Sequence, residues 1–137
     1  IPGFIANRIG YAMYREALSL LDSGVADAET IDRSVRNALG LWATVCGPLR
    51  WIDLTGGPEL YAKAVQHVLP TLNNSTELPP VLKKLAETGA RGIVNGRGLY
   101  NYTPEEARHW EELYRRHAWR IAQMQNEYFP AKDNPPS

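Results

Sequence analysis

The side chain best suited to chemistry in this 137-residue chain is an amide near its start, Asn7. Pro2-Gly3 is a turn signal, and the apolar run after it carries Asn7 straight into a helical stretch. A carboxamide donates to one oxygen and accepts from a neighbouring donor at the same time, so it suits holding a reacting oxygen. The same residue type also satisfies backbone donors at helix starts. Spacing leaves both readings open. The other chemically capable residues form weaker patterns. His67, His109 and His117 make no metal motif, since His109 and His117 are eight apart on one helix and no Cys–His cluster surrounds any of the three. Cys46 has no histidine beside it that would mark a nucleophile and reads as a packed thiol. The loop holding Gly89, Gly92, Gly96 and Gly98, with Arg91 and Arg97, has neither a GxGxxG nor a Walker pattern and no strand running into it. It reads as a turn-rich connection that needs positive φ.

These residues must be positioned by helices punctuated with Gly and Pro. From Ile5 to about Leu21, the residues Ile5, Ile9, Met13, Ala17, Leu20 and Leu21 recur at helical spacing, and Gly24 is placed to end that helix. Asp27 caps a second helix, with Ile31, Val35, Ala38 and Leu39 inward and Gly40 as its stop. Pro48 after Gly47 opens a short helix through Trp51 and Ile52 that stops at Gly56-Gly57. Pro58 opens another, burying Leu60, Tyr61, Ala64, Val65, Val68 and Leu69, and Pro79-Pro80 starts a short one through Leu85 and Ala86. Thr103-Pro104-Glu105-Glu106 is a strong start for a last helix to about Tyr128, in which Trp110, Leu113, Tyr114, His117, Ile121 and Met124 trace one face. Glu111–Arg115 and Glu112–Arg116 are spaced to pair along it. The only extended piece expected is Leu99 to Tyr102. The reading is an all-α domain over residues 1–129, two long helices plus several short ones, with residues 130–137 a frayed tail.

Composition narrows the partners. Lys+Arg and Asp+Glu are 15 each, so the total charge gives no footprint for nucleic acid or an anionic membrane. No stretch approaches the roughly 20 apolar residues that span a bilayer. A single cysteine rules out an internal disulfide framework and suits a reducing compartment, so a cytoplasmic location is expected. The first residues lack the basic leader and cleavage pattern of a signal peptide and look like a junction within a longer protein.

Several separated patches carry a family resemblance. Pro2-Gly3-Phe4-Ile5-Ala6-Asn7-Arg8 resembles the start of the C-terminal domain of the 3-hydroxyacyl-CoA dehydrogenase family. Glu16-Ala17 follows, and the stretch from Gly24 to Gly40, with Asp32 central, is similar to that family's Gly-x-Ala-x-x-x-x-Ile-Asp segment. Cys46-Gly47-Pro48-Leu49 with Asp53-Leu54 resembles its Gly-Pro-Phe/Leu helix followed by Asp, and Gly92 through Gly98-Leu99-Tyr100-Asn101-Tyr102 its closing Gly-x-Gly-Phe-Tyr-x-Tyr signature. The order and spacing of the patches are more specific than any one of them. Two departures stand out: the family's Gly-x-Lys-Thr-Gly lead-in is Gly92-Ile93-Val94-Asn95-Gly96 here, and the last helix runs past the family's common end.

The resemblance implies a helical dimerisation domain of the 6-phosphogluconate dehydrogenase C-terminal type, one half of an NAD-dependent oxidoreductase. The implied substrate is an L-3-hydroxyacyl-CoA oxidised to the 3-oxoacyl-CoA in fatty-acid metabolism. NAD, the catalytic His and the Glu that orients it would belong to an N-terminal domain absent from this chain, which alone should be inactive. Asn7 matches the family's active-site Asn, Gly47 and Pro48 a helix start lining the acyl end of the cleft, and the first and last helices would form a homodimer interface. Two alternatives stay open: a dehydrogenase of small free hydroxy acids of the carnitine or sugar-acid type, and a non-catalytic helical interaction module with Asn7 as a plain cap.

Overall fold

The computed structural model describes residues 2–131. They form α1 (Pro2–Asp22), α2 (Ala28–Asn37), α3 (Leu39–Trp42), α4 (Gly47–Leu54), α5 (Gly57–Val68), a 3-10 turn (Leu69–Thr71), α6 (Pro80–Glu87) and α7 (Pro104–Tyr128). No strand occurs among the described residues, so the all-α class holds, with two long helices and several short ones. The extended piece expected at Leu99–Tyr102 reduces to a bridge between Arg97 and Asn101, beside a second between Gly92 and Arg97. Of the tail expected over 130–137, residues 132–137 lie outside the described ones.

Local signals set most helix ends. Gly24, at φ 70°, closes α1: its N–H donates to the Leu21 carbonyl and the Val25 N–H to that of Leu20, the paired bonds that a left-handed residue makes possible. Asp27 caps α2, its Oδ1 accepting from the Thr30 N–H at 2.8 Å. Thr103 and Glu106 form a reciprocal capping box at α7, each side chain bonded to the other's backbone N–H. Gly40, in contrast, stops nothing. It lies inside α3, and the break between α2 and α3 falls at Ala38. On α7, Arg115 turns to Glu112 rather than to Glu111, so Glu112 serves both Arg115 and Arg116.

Long-range bonds then pin the segment before α6 against α1. The Asn73 N–H donates to Glu16 Oε2 at 2.7 Å, and Asn73 Nδ2 donates to Ser19 Oγ at 3.1 Å. Asp22, in the last turn of α1, accepts from the Val81 N–H at 2.9 Å. It thereby satisfies an orphan donor at the start of α6, where Pro79 cannot. α1 packs on α2 and α6, and α4 packs on α5.

Expected core faces are not cores here. No described residue is fully buried. Ile5, Ile9 and Met13 on α1 stay 59%, 57% and 40% exposed, and Leu60, Val65 and Val68 of α5 and Leu69 of the 3-10 turn are exposed as well. The periodicity located the apolar stripes, and the described residues leave much of them uncovered. The accessible surface is 11304 Å², against about 7,200 Å² for a compact monomer of this mass.

Candidate functional site

Asn7 is the sixth residue of α1. That removes the capping reading, because a cap precedes the first helical residue and α1 already begins at Pro2, a residue suited to a first helical position. Among the described residues the Asn7 carboxamide has no hydrogen-bond partner, and the residue is exposed. It faces an open groove of about 1150 Å³, whose floor is one side of α1. The walls are Ala28, Ile31 and Asp32 of α2, the segment Ser75–Pro79, Leu82 of α6, and Leu99-Tyr100. Phe4 and Asn7 line one end of α1 in the groove and Leu18 and Leu21 the other.

Two groove residues join patches far apart in the chain. The Tyr100 hydroxyl donates to Asp32 Oδ2 at 2.7 Å, tying the closing Gly-x-Gly-Leu-Tyr-x-Tyr segment to α2. Loss of water around the phenol, and then the neighbouring Asp32 carboxylate, push the Tyr100 pKa up to about 12, so it is a fixed donor at neutral pH. Arg8 and Arg15 bring positive charge to the groove. Arg8 lies over the Phe4 ring at 5.6 Å, and Arg15 Nη1 reaches the Ser75 carbonyl at 3.4 Å. Asp27, which caps α2, has its carboxyl held below the usual carboxylate range by the bond from Thr30.

Gly47 and Pro48 open α4 and do not line this groove. Around them lie Trp42 and Trp51, stacked at 5.3 Å and 11°, and Cys46, half-buried with its Sγ donating to the Trp42 carbonyl at 3.6 Å. The structure therefore does not bring the two sequence-level candidates, Asn7 and Gly47-Pro48, to one cavity. His67, His109 and His117 stand exposed on α5 and α7, and no metal-holding group of His, Cys, Asp or Glu occurs among the described residues.

The glycine loop is closed on itself. Asn95 Oδ1 accepts from the Arg91 and Arg97 N–H groups, and Asn95 Nδ2 donates to the Gly89 carbonyl at 2.9 Å. The Gly92 and Gly96 N–H groups donate to the Arg97 and Gly92 carbonyls. A Cβ at Gly96, at φ 78°, would meet the Tyr102 carbonyl oxygen at 2.6 Å, so the turn admits only glycine there. The N–H groups of Arg91, Gly92, Gly96 and Arg97 are thus used inside the turn.

Sequence reasoning missed Asp32–Tyr100 as a pair, and missed Tyr11 and Tyr14 as neighbours of Asn7 on the groove face. The spacing of Asn7, Tyr11, Tyr14 and Leu18 is itself helical and carried that signal.

Comparison with known proteins places the chain. The family described as 3-hydroxyacyl-CoA dehydrogenase, C-terminal domain, matches residues 3–102. The chain is 32% identical over 108 residues to 5-formyl-3-hydroxy-2-methylpyridine 4-carboxylate 5-dehydrogenase of Mesorhizobium japonicum, covering 79% of the chain and 35% of that protein. It is 33% identical over 121 residues to L-carnitine dehydrogenase of Streptomyces coelicolor, covering 84% and 38%. A probable 3-hydroxybutyryl-CoA dehydrogenase of Deinococcus radiodurans is 35% identical over 103 residues, covering 74% and 35%. A crystal structure of the 5-formyl-3-hydroxy-2-methylpyridine 4-carboxylic acid 5-dehydrogenase, described as an NAD+ dependent dismutase, superposes with a TM-score of 0.80 at 29% identity, over 93% of this chain and 40% of that one. The chain spans little more than a third of the length of the curated relatives it matches.

Proposed function

We propose, from the premise that the chain belongs to the 3-hydroxyacyl-CoA dehydrogenase family as its C-terminal domain, that it supplies the substrate-holding amide of an NAD-dependent oxidoreductase. The family is one of NAD-dependent dehydrogenases. The observation that carries the reading is Asn7: an exposed carboxamide with no partner among the described residues, held on a long helix within the matched motif. Its Nδ2 would donate to the substrate oxygen on which negative charge develops as a base takes the hydroxyl proton, and a donor fixed on a helix needs no reorganisation at that moment. A preceding domain would hold the NAD that accepts the hydride, since the glycine loop of this chain carries neither a GxGxxG nor a Walker pattern. Residues 1–129 act as the substrate and dimerisation domain, Gly47-Pro48 line the more distant acyl end of the cleft, and the enzyme works as a cytoplasmic homodimer.

Of the two substrate forms, a small free hydroxy acid is supported by Val94. An apolar side chain stands where the family pattern has lysine, and the relatives named for a pyridine carboxylate and for L-carnitine match most of the chain. An L-3-hydroxyacyl-CoA is the second reading, supported by the family itself and the Deinococcus relative. NADH formation by the full-length protein with L-3-hydroxybutyryl-CoA and with L-carnitine tests both: a kcat/KM for the thioester far above that for every free acid tried makes the second reading the right one. No NAD reduction with either class of substrate overturns the dehydrogenase reading.

A further inference from the structure

A stacked pair of indoles sits at the corner between α3 and α4. Trp51 lies on α4 one turn after Gly47 and Pro48, so it shares their side of the helix. Helical side chains lean towards the N-terminus of their helix, which carries the Trp51 indole back over Gly47, where no side chain opposes it. Trp42, the last residue of α3, stacks on that indole with ring centroids 5.3 Å apart and planes 11° from parallel. Both members are anchored. The Trp42 carbonyl accepts from the Val45 and Cys46 N–H groups and from Cys46 Sγ. The Trp51 carbonyl accepts from Thr55 Oγ1 at 2.6 Å, and that hydroxyl is bonded in turn to the Tyr61 hydroxyl of α5, also at 2.6 Å. Both indoles are half-buried, whereas Leu41, Leu49 and Leu54 of the same two helices are 76%, 79% and 67% exposed. The corner is an open apolar surface with a rigid aromatic block set in it.

We propose that Trp51, backed by Trp42, is the wall that sets how long a substrate tail the enzyme accepts. The inference rests on the dehydrogenase reading above, with Gly47-Pro48 lining the acyl end of the cleft, and it narrows the substrate class to hydroxy acids or thioesters with a short tail beyond the hydroxyl carbon. An exposed apolar corner beside a helix start suits such a tail, since each methylene taken from water is favourable. A tail running along Gly47-Pro48 meets the Trp51 indole one turn further along α4. The indole is held from swinging aside to admit more methylenes. Trp42 occupies one of its faces, and the bonds through Thr55 to Tyr61 fix the backbone that carries it. An aliphatic side chain in this place would change rotamer and give way, whereas a stacked pair would have to lose its contact to do so.

Tail-length profiles of the full-length enzyme test the wall. NADH formation gives kcat/KM for L-3-hydroxybutyryl, L-3-hydroxyoctanoyl and L-3-hydroxydodecanoyl substrates, each as the free acid and as the CoA thioester. The wild-type enzyme should favour the shortest tail in whichever form it turns over. Trp51→Ala should raise the octanoyl-to-butyryl ratio by ~10-fold or more, because one misfitted methylene in an apolar pocket already changes discrimination by about 10–200-fold. Trp42→Ala should move the ratio the same way by less. Both substrates are read on one preparation, so the ratio does not depend on the fraction folded. A stack that only joined α3 to α4 would lower the melting temperature and leave the ratio unmoved. Should either alanine variant lack helicity by circular dichroism, Trp42→Leu and Trp51→Leu read the same ratio with part of the volume kept. Trp51→Phe, which retains a stacked ring, should stay close to wild type, and Trp119→Ala, on the exposed surface of α7, should not move it. A wild-type enzyme as active on the dodecanoyl substrate as on the butyryl one, or folded Trp51 variants with the wild-type ratio, overturns the proposal. NAD reduction with no hydroxy acid or thioester overturns the dehydrogenase reading instead, a result distinct from an active enzyme whose profile the Trp51 variants leave unchanged.

Discussion

α1 and α7 are the two long helices of this molecule, and they are stabilised in opposite ways. α1 is tied to distant parts of the chain: Glu16 and Ser19 hold Asn73, Asp22 holds the start of α6, and Arg15 reaches Ser75. α7 depends on its own sequence, through the Thr103–Glu106 box at one end and the Glu112 pairs with Arg115 and Arg116 in the middle. The family match ends at Tyr102, so the tied helix lies inside it and the self-supporting one outside. The helix that carries Asn7 is held in place from several directions. The helix with the exposed stripe is stabilised mainly along its own length.

The sharpest break between the two concerns Asn7. Because it is interior to α1 and caps nothing, Asn7→Asp in the full-length enzyme should cut kcat/KM by ~100-fold or more with an almost unchanged melting temperature. Steady-state kinetics beside a thermal melt reads both quantities, and full activity in a folded variant ends the assignment.

Next in size is the tie between α1 and the segment before α6. Glu16→Ala leaves the Asn73 N–H without its carboxylate and should lower unfolding free energy by about 1–2 kcal/mol, measured by urea titration. The effect belongs to the whole cooperative unit, so helix content of α1 and α6 should be lost together.

A local loss of about 1 kcal/mol is expected for Thr103→Ala, which removes the cap of α7. Hydrogen exchange should quicken in the first turns of α7 and stay unchanged in α1. Equal quickening in both helices would break the contrast drawn between them.

The smallest effect is a titration. With the Tyr100 pKa raised to about 12, its phenol keeps its proton past the range where the unfolded side chain has lost it. The stabilisation from this bond is complete below pH ~10, the ordinary tyrosine value, and fades as pH climbs through about 12. Ultraviolet titration of the tyrosines should show a late phenolate that is absent in Tyr100→Phe.

The sequence by itself determined where the helices run and how most of them begin and end. Asp27, Thr103 with Glu106, Pro80 and Gly24 act through bonds to residues within a few positions, so their effect is written locally. The family patches were legible for the same reason, as short strings in a fixed order. Gly40 misled because a glycine ends a helix only where the backbone turns left-handed, and here the chain instead kinks at Ala38. The site was legible only in its first member. Asn7 could be singled out from its motif, but its exclusion as a cap required knowing that α1 starts at Pro2. The groove that surrounds it, the Asp32–Tyr100 bond across 68 residues and the separation of Gly47-Pro48 from that groove are tertiary facts. Periodicity marks an apolar stripe without saying what will cover it, because burial depends on contacts between distant segments. That is why only the folded chain showed Ile5, Ile9 and, on α7, Trp110 and Tyr114 still exposed, surfaces that the other described residues leave uncovered.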